Sequence, residues 1–346
     1  GGLDSSSIVA LCDEFSSGQY SHKCFTVSFP GFEKDELLHA KTVAQKFGLE
    51  HFVVEIDETN IVALMIEVMD HQEEPFSSAS VLAQFKLFQS ARQNGVTVLL
   101  DGQGADELLG GYHKYYKWYW QELYRAKKLK QTKELIQARA LGIGESFSLQ
   151  NKFAAFFPDF AGSLLESRKA KTSFRHPDLD RDFAFSNKRN LYYSLPSEFS
   201  LNGALYFNSF VYGLEELLRL ADRNSMAHGT EVRLPYLSFQ LAESLFTLPA
   251  HFKIRDGWTK WILRKSIDKK LPASIAWRRD KLGFEPPQKK WMESKQVQEA
   301  IMEGKKKLVS EHLLNPTALQ KKIKPHSSYA ADNQDWKYWS TSFLFE

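Results

Sequence analysis

The sequence predicts an α/β protein, a doubly wound parallel sheet with a helical C-terminal half, and three observations predict it. Short β-branched and apolar runs alternate with segments of helical periodicity from Gly1 to Tyr112, the pattern of strands joined by crossover helices. Two glycine-rich segments, Gly1-Gly2-Leu3-Asp4-Ser5-Ser6 and Asp101-Gly102-Gln103-Gly104, fall where a strand hands over to a helix. In an open α/β sheet that edge is where ligands bind. Beyond Tyr112, strand signals largely disappear and aromatic residues recur at helical spacing.

Taken in order, Ser7 to Phe15 has helical character after the opening turn, and Cys24-Phe25-Thr26-Val27-Ser28-Phe29 reads as a strand ended by Pro30-Gly31. Leu37, Ala40, Ala44 and Phe47 place a helix over Glu33 to Phe47, with Gly48 as its stop. His51 to Ile56 is a strand, Asp57 to Met69 a helix, Pro75-Phe76-Ser77-Ser78 a loop and Val81 to Arg92 a helix. After Gly95, Val96-Thr97-Val98-Leu99-Leu100 reads as a buried strand. Residues 1–113 are thus expected to form the parallel α/β part, 114–190 a helical insertion, and 191–346 a helical part that completes the site. The opening residue already lies in a loop, so the chain reads as a fragment whose first strand precedes Gly1.

Composition narrows the function classes. The 346 residues are 43% hydrophobic and 25% charged, ordinary for a globular protein with a sizeable core. No apolar run reaches the length of a membrane span. The formal charge of +3 comes from 45 Lys plus Arg against 42 Asp plus Glu, too even a balance to suggest a polyanionic partner. The basic aromatic stretch Lys114 to Lys133 reads as core aromatics with a solvated lysine face, so neither nucleic acid nor membrane is expected as a partner. Cys12 and Cys24 fit neither a disulfide framework nor a zinc site; they read as small core residues in a reducing cytoplasm.

The opening motif carries the first chemical suggestion. Its glycines let backbone approach an anion closely, its amides point at that anion from a helix start, and its hydroxyls add donors. The same six residues also suit a plain glycine-rich turn with an N-capping Asp or Ser. The second motif runs from Asp101 through Gly102-Gln103-Gly104-Ala105-Asp106-Glu107 to Gly110-Gly111-Tyr112, directly after a strand. One of its two adjacent carboxylates can join Asp4 in holding Mg²⁺, and helix capping by the acids competes with that reading.

At these two motifs together the sequence resembles the asparagine synthase family, the synthetase half of class II glutamine-dependent asparagine synthetases among the N-type ATP pyrophosphatases. The resemblance continues through Asp222-Arg223-Asn224 to Glu231-Val232-Arg233-Leu234-Pro235-Tyr236-Leu237, then Lys260 with Ile262-Leu263-Arg264, Leu271-Pro272 and Lys281-Leu282-Gly283-Phe284. It implies a nucleotide-hydrolase-like sheet and an ATP- and Mg²⁺-dependent ligase. In that reaction aspartate attacks the α-phosphate, pyrophosphate leaves, and ammonia displaces AMP to give asparagine. On matching positions it implies that Gly1, Gly2, Asp4, Ser5 and Ser6 cradle pyrophosphate and that Asp4 and Asp106 ligate Mg²⁺. Lys281 would stabilise transition-state charge, and backbone at Val27, Asp101 and Gly102 would hold the nucleoside. It further implies a glutaminase domain outside this chain as the ammonia source, a cytoplasmic location and a homodimer.

Two positions depart from the pattern. Many members carry Glu at Gln103, where a carboxylate is thought to handle protons as ammonia attacks; an amide has no titratable proton to offer, which leaves open a related AMP-forming ligase with another acceptor, β-lactam-forming or peptide-cyclising, or a non-catalytic scaffold. Ser238 stands where an Asp commonly follows the Pro-x-Leu triplet. Among the remaining polar residues, Glu231 and Arg233 read as a structural ion pair beneath the site, and His228 as a packed or capping histidine.

Overall fold

The computed structural model describes residues 1–16, 22–187, 196, 198–280, 283–330 and 332–345. The first part runs α1 (Leu3–Phe15), β1 (Lys23–Ser28), α2 (Leu37–Lys46), β2 (Glu50–Glu55), α3 (Ile61–Gln72), α4 (Ser80–Gln93), β3 (Val98–Leu100) and α5 (Ala105–Leu109). Helices then dominate: α6 (Lys114–Arg125), α7 (Glu134–Ala140), α8 (Leu149–Phe156), α9 (Pro158–Phe174), α10 (Arg181–Ser186), α11 (Leu201–Phe210) and α12 (Leu214–Met226). The last part holds β4 (Glu231–Arg233), α13 (Phe239–Thr247), the hairpin β5 (Ile254–Arg255) and β6 (Trp258–Thr259), α14 (Trp261–Ile267), α15 (Ala273–Ala276), α16 (Gln288–Met292), α17 (Lys295–Ser310) and α18 (Gln334–Ser342).

The fold is mixed α/β with a helical majority and small sheets. β1 pairs in parallel with β2, Val27 opposite Val54, and β3 pairs in parallel with β4, Leu99 opposite Val232. Among the described residues no ladder joins the two pairs into one sheet, and the three-residue β3 takes its partner from far along the chain. Nor is β3 the buried strand its apolar run suggests. Val98 and Leu100 are exposed, with Leu99 half-buried between them, the alternation of a strand open on one face.

Most element boundaries fall within a few residues of the sequence reading, and the exceptions have local causes. α1 begins at Leu3 rather than Ser7, which takes Asp4 into the first helical turn. α2 starts late because the Asp35 carboxylate accepts from the Leu37 amide (2.9 Å) and the Ser28 hydroxyl (2.7 Å), fixing the loop before it. Gly48 ends that helix region with φ +60°. Cys12 and Cys24 are free and only half-buried, not core residues.

Burial explains how the parts cohere. α3 and α4 pack with α16, α17 and α18 around Met65, Leu82, Trp291 and Trp336, while α6 buries Tyr115, Tyr116, Tyr119 and Trp120 against α11 and Ile254. The aromatic stretch is therefore core, as its spacing predicts, and large rings of this kind dominate core energetics. α1 is packed on two sides, Ile8 against Leu108, Leu109 and Tyr236, and Ala10 against Val43, Ile267 and Ile275. No helix among the described residues is long and apolar enough to cross a membrane.

A buried amide network joins α3, α4 and α12. Asn224 donates to Val81 O (2.9 Å) and Gln84 Oε1 (3.1 Å), and accepts from Gln72 Nε2 (2.7 Å), which also donates to Leu220 O (3.0 Å). Replacing Asn224 by Ala strands these buried partners, a change that costs about 2–3 kcal/mol. Urea unfolding of Asn224→Ala should show a lower midpoint with an unchanged slope; a wild-type midpoint would contradict the network's importance.

Candidate active site

Three segments distant in sequence meet at one ammonium group. Lys260 Nζ lies 2.7 and 2.6 Å from the two Asp4 oxygens and 2.7 Å from Asp106 Oδ1. Asp4 comes from the first turn of α1, Asp106 from the first turn of α5, and Lys260 from the residue before α14. Lys260 is buried, which opposes its charge more than any other single effect, yet the two carboxylates together outweigh burial and push its pKa up. Lys260 therefore stays an ammonium at neutral pH.

Glycines make the convergence sterically feasible. A Cβ at Gly102 would stand 2.9 Å from Asp4 Cβ and 3.0 Å from the Ser5 nitrogen, so the two motifs are in direct contact. A Cβ at Gly111 would collide with Asp106 Oδ1 and Lys260 Cε. Gly104 adopts φ +87° at the start of α5, where a side chain would run into Leu237.

The loop is braced from the Glu231 to Leu237 segment. Tyr236 OH bonds the Ser7 hydroxyl and donates to Asp4 O (3.3 Å), and Ser7 Oγ also donates to Asp4 O (2.7 Å). Burial, with Asp4 nearby, pushes the Tyr236 phenol up, so it remains a neutral donor. Beneath Asp106, the buried Glu107 accepts from Tyr112 OH (2.7 Å), and burial raises its pKa despite that bond.

Of the sequence-predicted residues, Gly2 is the N-cap of α1, Asp4 sits in the cluster, Ser5 is exposed, and Ser6 is buried with its amide bonded to Gly2 O (3.1 Å). Gly1 packs against α2, where a Cβ would meet Ala40 N at 2.7 Å. Val27 is buried in β1. Asp101 follows β3, its pKa raised by burial and by Asp4 against the pull of the Gly102 and Gln103 amides. The Gln103 side-chain oxygen is buried without a hydrogen-bond partner. Lys281 lies outside the described residues.

Sequence reasoning passed over Lys260 as a site residue, although it stood in the block Lys260 to Arg264; the Asp256-Gly257 pair, a strong signal for a tight hairpin, marks how it is presented. Arg233 and Glu231 do pair (2.7 Å), but both side chains are more than half exposed, so this is a surface pair rather than one beneath the site. His228 packs edge-on against Phe85, its pKa lowered by burial.

The carboxylates suit a hard cation. Mg²⁺ characteristically takes one or two protein carboxylates and completes its shell with water and substrate phosphate, and among the described residues no cluster of three or more His, Cys, Asp or Glu forms a closed metal cage. A cleft of about 380 Å³ beside Phe32, Lys34, Glu285 and Gln288 opens beyond the carboxyl end of β1, but its lining does not include the cluster.

The sequence model of a family described as asparagine synthase matches residues 1–345. The chain is 26% identical over 300 residues to asparagine synthetase (glutamine-hydrolyzing) 1 of Bacillus subtilis, covering 85% of this chain and 46% of the relative. It is 23% identical over 299 residues to asparagine synthetase (glutamine-hydrolyzing) 3 of the same organism, covering 81% and 43%. It is 24% identical over 337 residues to amidase chry2 of Gibberella zeae, covering 84% and 49%. The chain spans about half the length of these relatives.

The hairpin that leads to Lys260 begins at a second buried lysine. Lys253 Nζ reaches Asn202 Oδ1 (2.5 Å), a neutral partner, and burial lowers its pKa to about 8, with Glu122 opposing weakly. The unfolded chain therefore binds more protons than the folded one between about pH 8 and the ordinary lysine value, so stability rises with pH across that window. Thermal unfolding between pH 8 and 10 should show a rise for the wild type relative to Lys253→Met; identical pH profiles would remove the effect.

Proposed function

Because the chain belongs to the asparagine synthase family, we propose that it is the ATP-cleaving portion of an AMP-forming amide ligase acting on aspartate. The aspartate side-chain carboxylate attacks the α-phosphate of ATP, the bond to pyrophosphate breaks, and ammonia then attacks the acyl carbon, displacing AMP and losing a proton to leave asparagine. The observation that carries this reading is the meeting of Asp4, Lys260 and Asp106 beside the glycine-rich loop.

Each residue has a role in that scheme. Gly1, Gly2, Ser5 and Ser6 line the pyrophosphate position, where glycine lets backbone approach phosphate closely. Asp4 and Asp106 would hold Mg²⁺ beside the Lys260 ammonium, and the ion would supply neutralisation of phosphate charge. The Lys260 ammonium, already desolvated and fixed, orients both carboxylates and requires no reorganisation during reaction. Lys281 completes the charge stabilisation, and backbone at Val27, Asp101 and Gly102 holds the nucleoside. In this reading residues 1–113 are the doubly wound nucleotide-binding part, 114–190 a helical insertion and 191–346 the part that closes the site. Glutamine supplies the ammonia through a separate glutaminase domain of a cytoplasmic, homodimeric whole protein.

Gln103 favours a second reading with the same adenylation and a different amine acceptor. Its unpartnered buried oxygen can accept a hydrogen bond from an incoming group but takes up no proton at neutral pH. Whole protein supplied with ATP, Mg²⁺, aspartate and glutamine or ammonium should yield asparagine, AMP and pyrophosphate. Asp106→Asn and Lys260→Ala should lower pyrophosphate release by about 10²-fold or more. Formation of ADP would refute the mechanism, and pyrophosphate release with another carboxylate or amine, but not with aspartate and ammonia, would select the second reading.

A further inference from the structure

The hairpin that leads to Lys260 is bonded to helices that lie away from the cluster itself. Lys260 ends a two-residue hairpin in which Ile254 pairs with Thr259 and Arg255 with Trp258. Both turn residues have positive φ, Asp256 at +54° and Gly257 at +75°, and Lys260 itself stands at +52°. A non-glycine residue in this region is locally strained and persists only where its surroundings hold it.

The hold comes from α6 and α7. The buried Glu134 side chain accepts from both turn amides, Asp256 N to Oε1 at 2.8 Å and Gly257 N to Oε2 at 2.9 Å. Tyr116 OH donates to Gly257 O at 2.6 Å, so both main-chain polar groups of Gly257 are tied to the helices. The turn also lies flat on α7, where a Cβ at Gly257 would stand 2.6 Å from Ala138 N. At the hairpin's other end, the Trp261 amide donates to Lys253 O (3.0 Å) and Arg264 Nε to Thr259 O (2.8 Å).

We propose that Glu134 is a positioning residue for Lys260: by holding the turn with two carboxylate oxygens, it sets where the ammonium sits between Asp4 and Asp106. The two oxygens matter because a single acceptor leaves one buried turn amide without a partner. The helical region thereby reaches the site through the hairpin. Its catalytic consequence rests on the ligase reading above; its structural consequence does not.

The test uses the whole protein and two variants, Glu134→Gln, which keeps size and one acceptor, and Glu134→Ala, which keeps neither. Amine acetylation followed by peptide mass spectrometry reads the protection of Lys260, with Lys305 as reference, since it is equally buried and paired with Asp335 on α17 and α18. Lys260 labelling should rise at least fivefold in Glu134→Ala and by a smaller factor in Glu134→Gln, while Lys305 stays protected. Where Glu134→Ala does not fold, Glu134→Gln alone decides. Unchanged Lys260 protection, or parallel exposure of Lys305, would overturn the proposal. Pyrophosphate release should fall in the same order, at least tenfold in kcat for Glu134→Ala, with the aspartate KM within threefold. If wild-type protein releases no pyrophosphate, the ligase reading fails and the labelling still decides the positioning role.

Discussion

The site depends on one desolvated ammonium held by two carboxylates. Removing Lys260 from water is costly, and only the close approach of both Asp4 and Asp106 makes the charged form favourable there. That condition is demanding. It requires α1, α5 and the β5–β6 hairpin, segments that share no local sequence, to be placed to within a hydrogen-bond length of one another. Much of the surrounding structure can be understood as meeting it.

Space is the first requirement. Gly102 lets the second motif lie on Asp4, and Gly111 leaves room for the Asp106 and Lys260 side chains to meet. These glycines are therefore spatial necessities as well as turn formers. Rigidity is the second requirement. Ser7 and Tyr236 fix the first turn of α1 through the Asp4 carbonyl, and the apolar contacts of Ile8 and Ala10 on its two sides fix its axis. A carboxylate on a helix packed on two sides is better placed than one on a loop, which suits electrostatic stabilisation that works by being organised in advance.

The first hundred or so residues were largely legible because helical and strand periodicities report local burial directly. β1, β2 and α4 fall close to their sequence assignments, and the aromatic spacing of α6 correctly marked a core helix. Where the reading missed, local chain geometry and nonlocal contacts were both the reason. α1 starts at Leu3 because the glycine-rich loop itself continues into helix, and β3 is open because burial of an apolar run depends on what covers it. The glycines and Asp4 and Asp106 stood out by motif, whereas Lys260 is one lysine among many until the fold brings it to residues far away in sequence. Its left-handed backbone conformation had no sequence signal either, since lysine is an unusual choice there.

The same nonlocality ties distant segments of the chain to one another. Asp4 comes from α1 and Asp106 from α5, and the Lys260 ammonium bridges the two. Lys260 comes from the end of the β5–β6 hairpin, whose turn is gripped by Glu134 and Tyr116. Without Lys260 the two carboxylates lose the ammonium that bridges them, and like charges held close together destabilise the arrangement that brings them together. The electrostatics thus link folding of the β5–β6 hairpin to assembly of the glycine-rich loop. A site divided in this way forms only in the folded whole, so mutations in α6 or α7 reach it through position rather than contact.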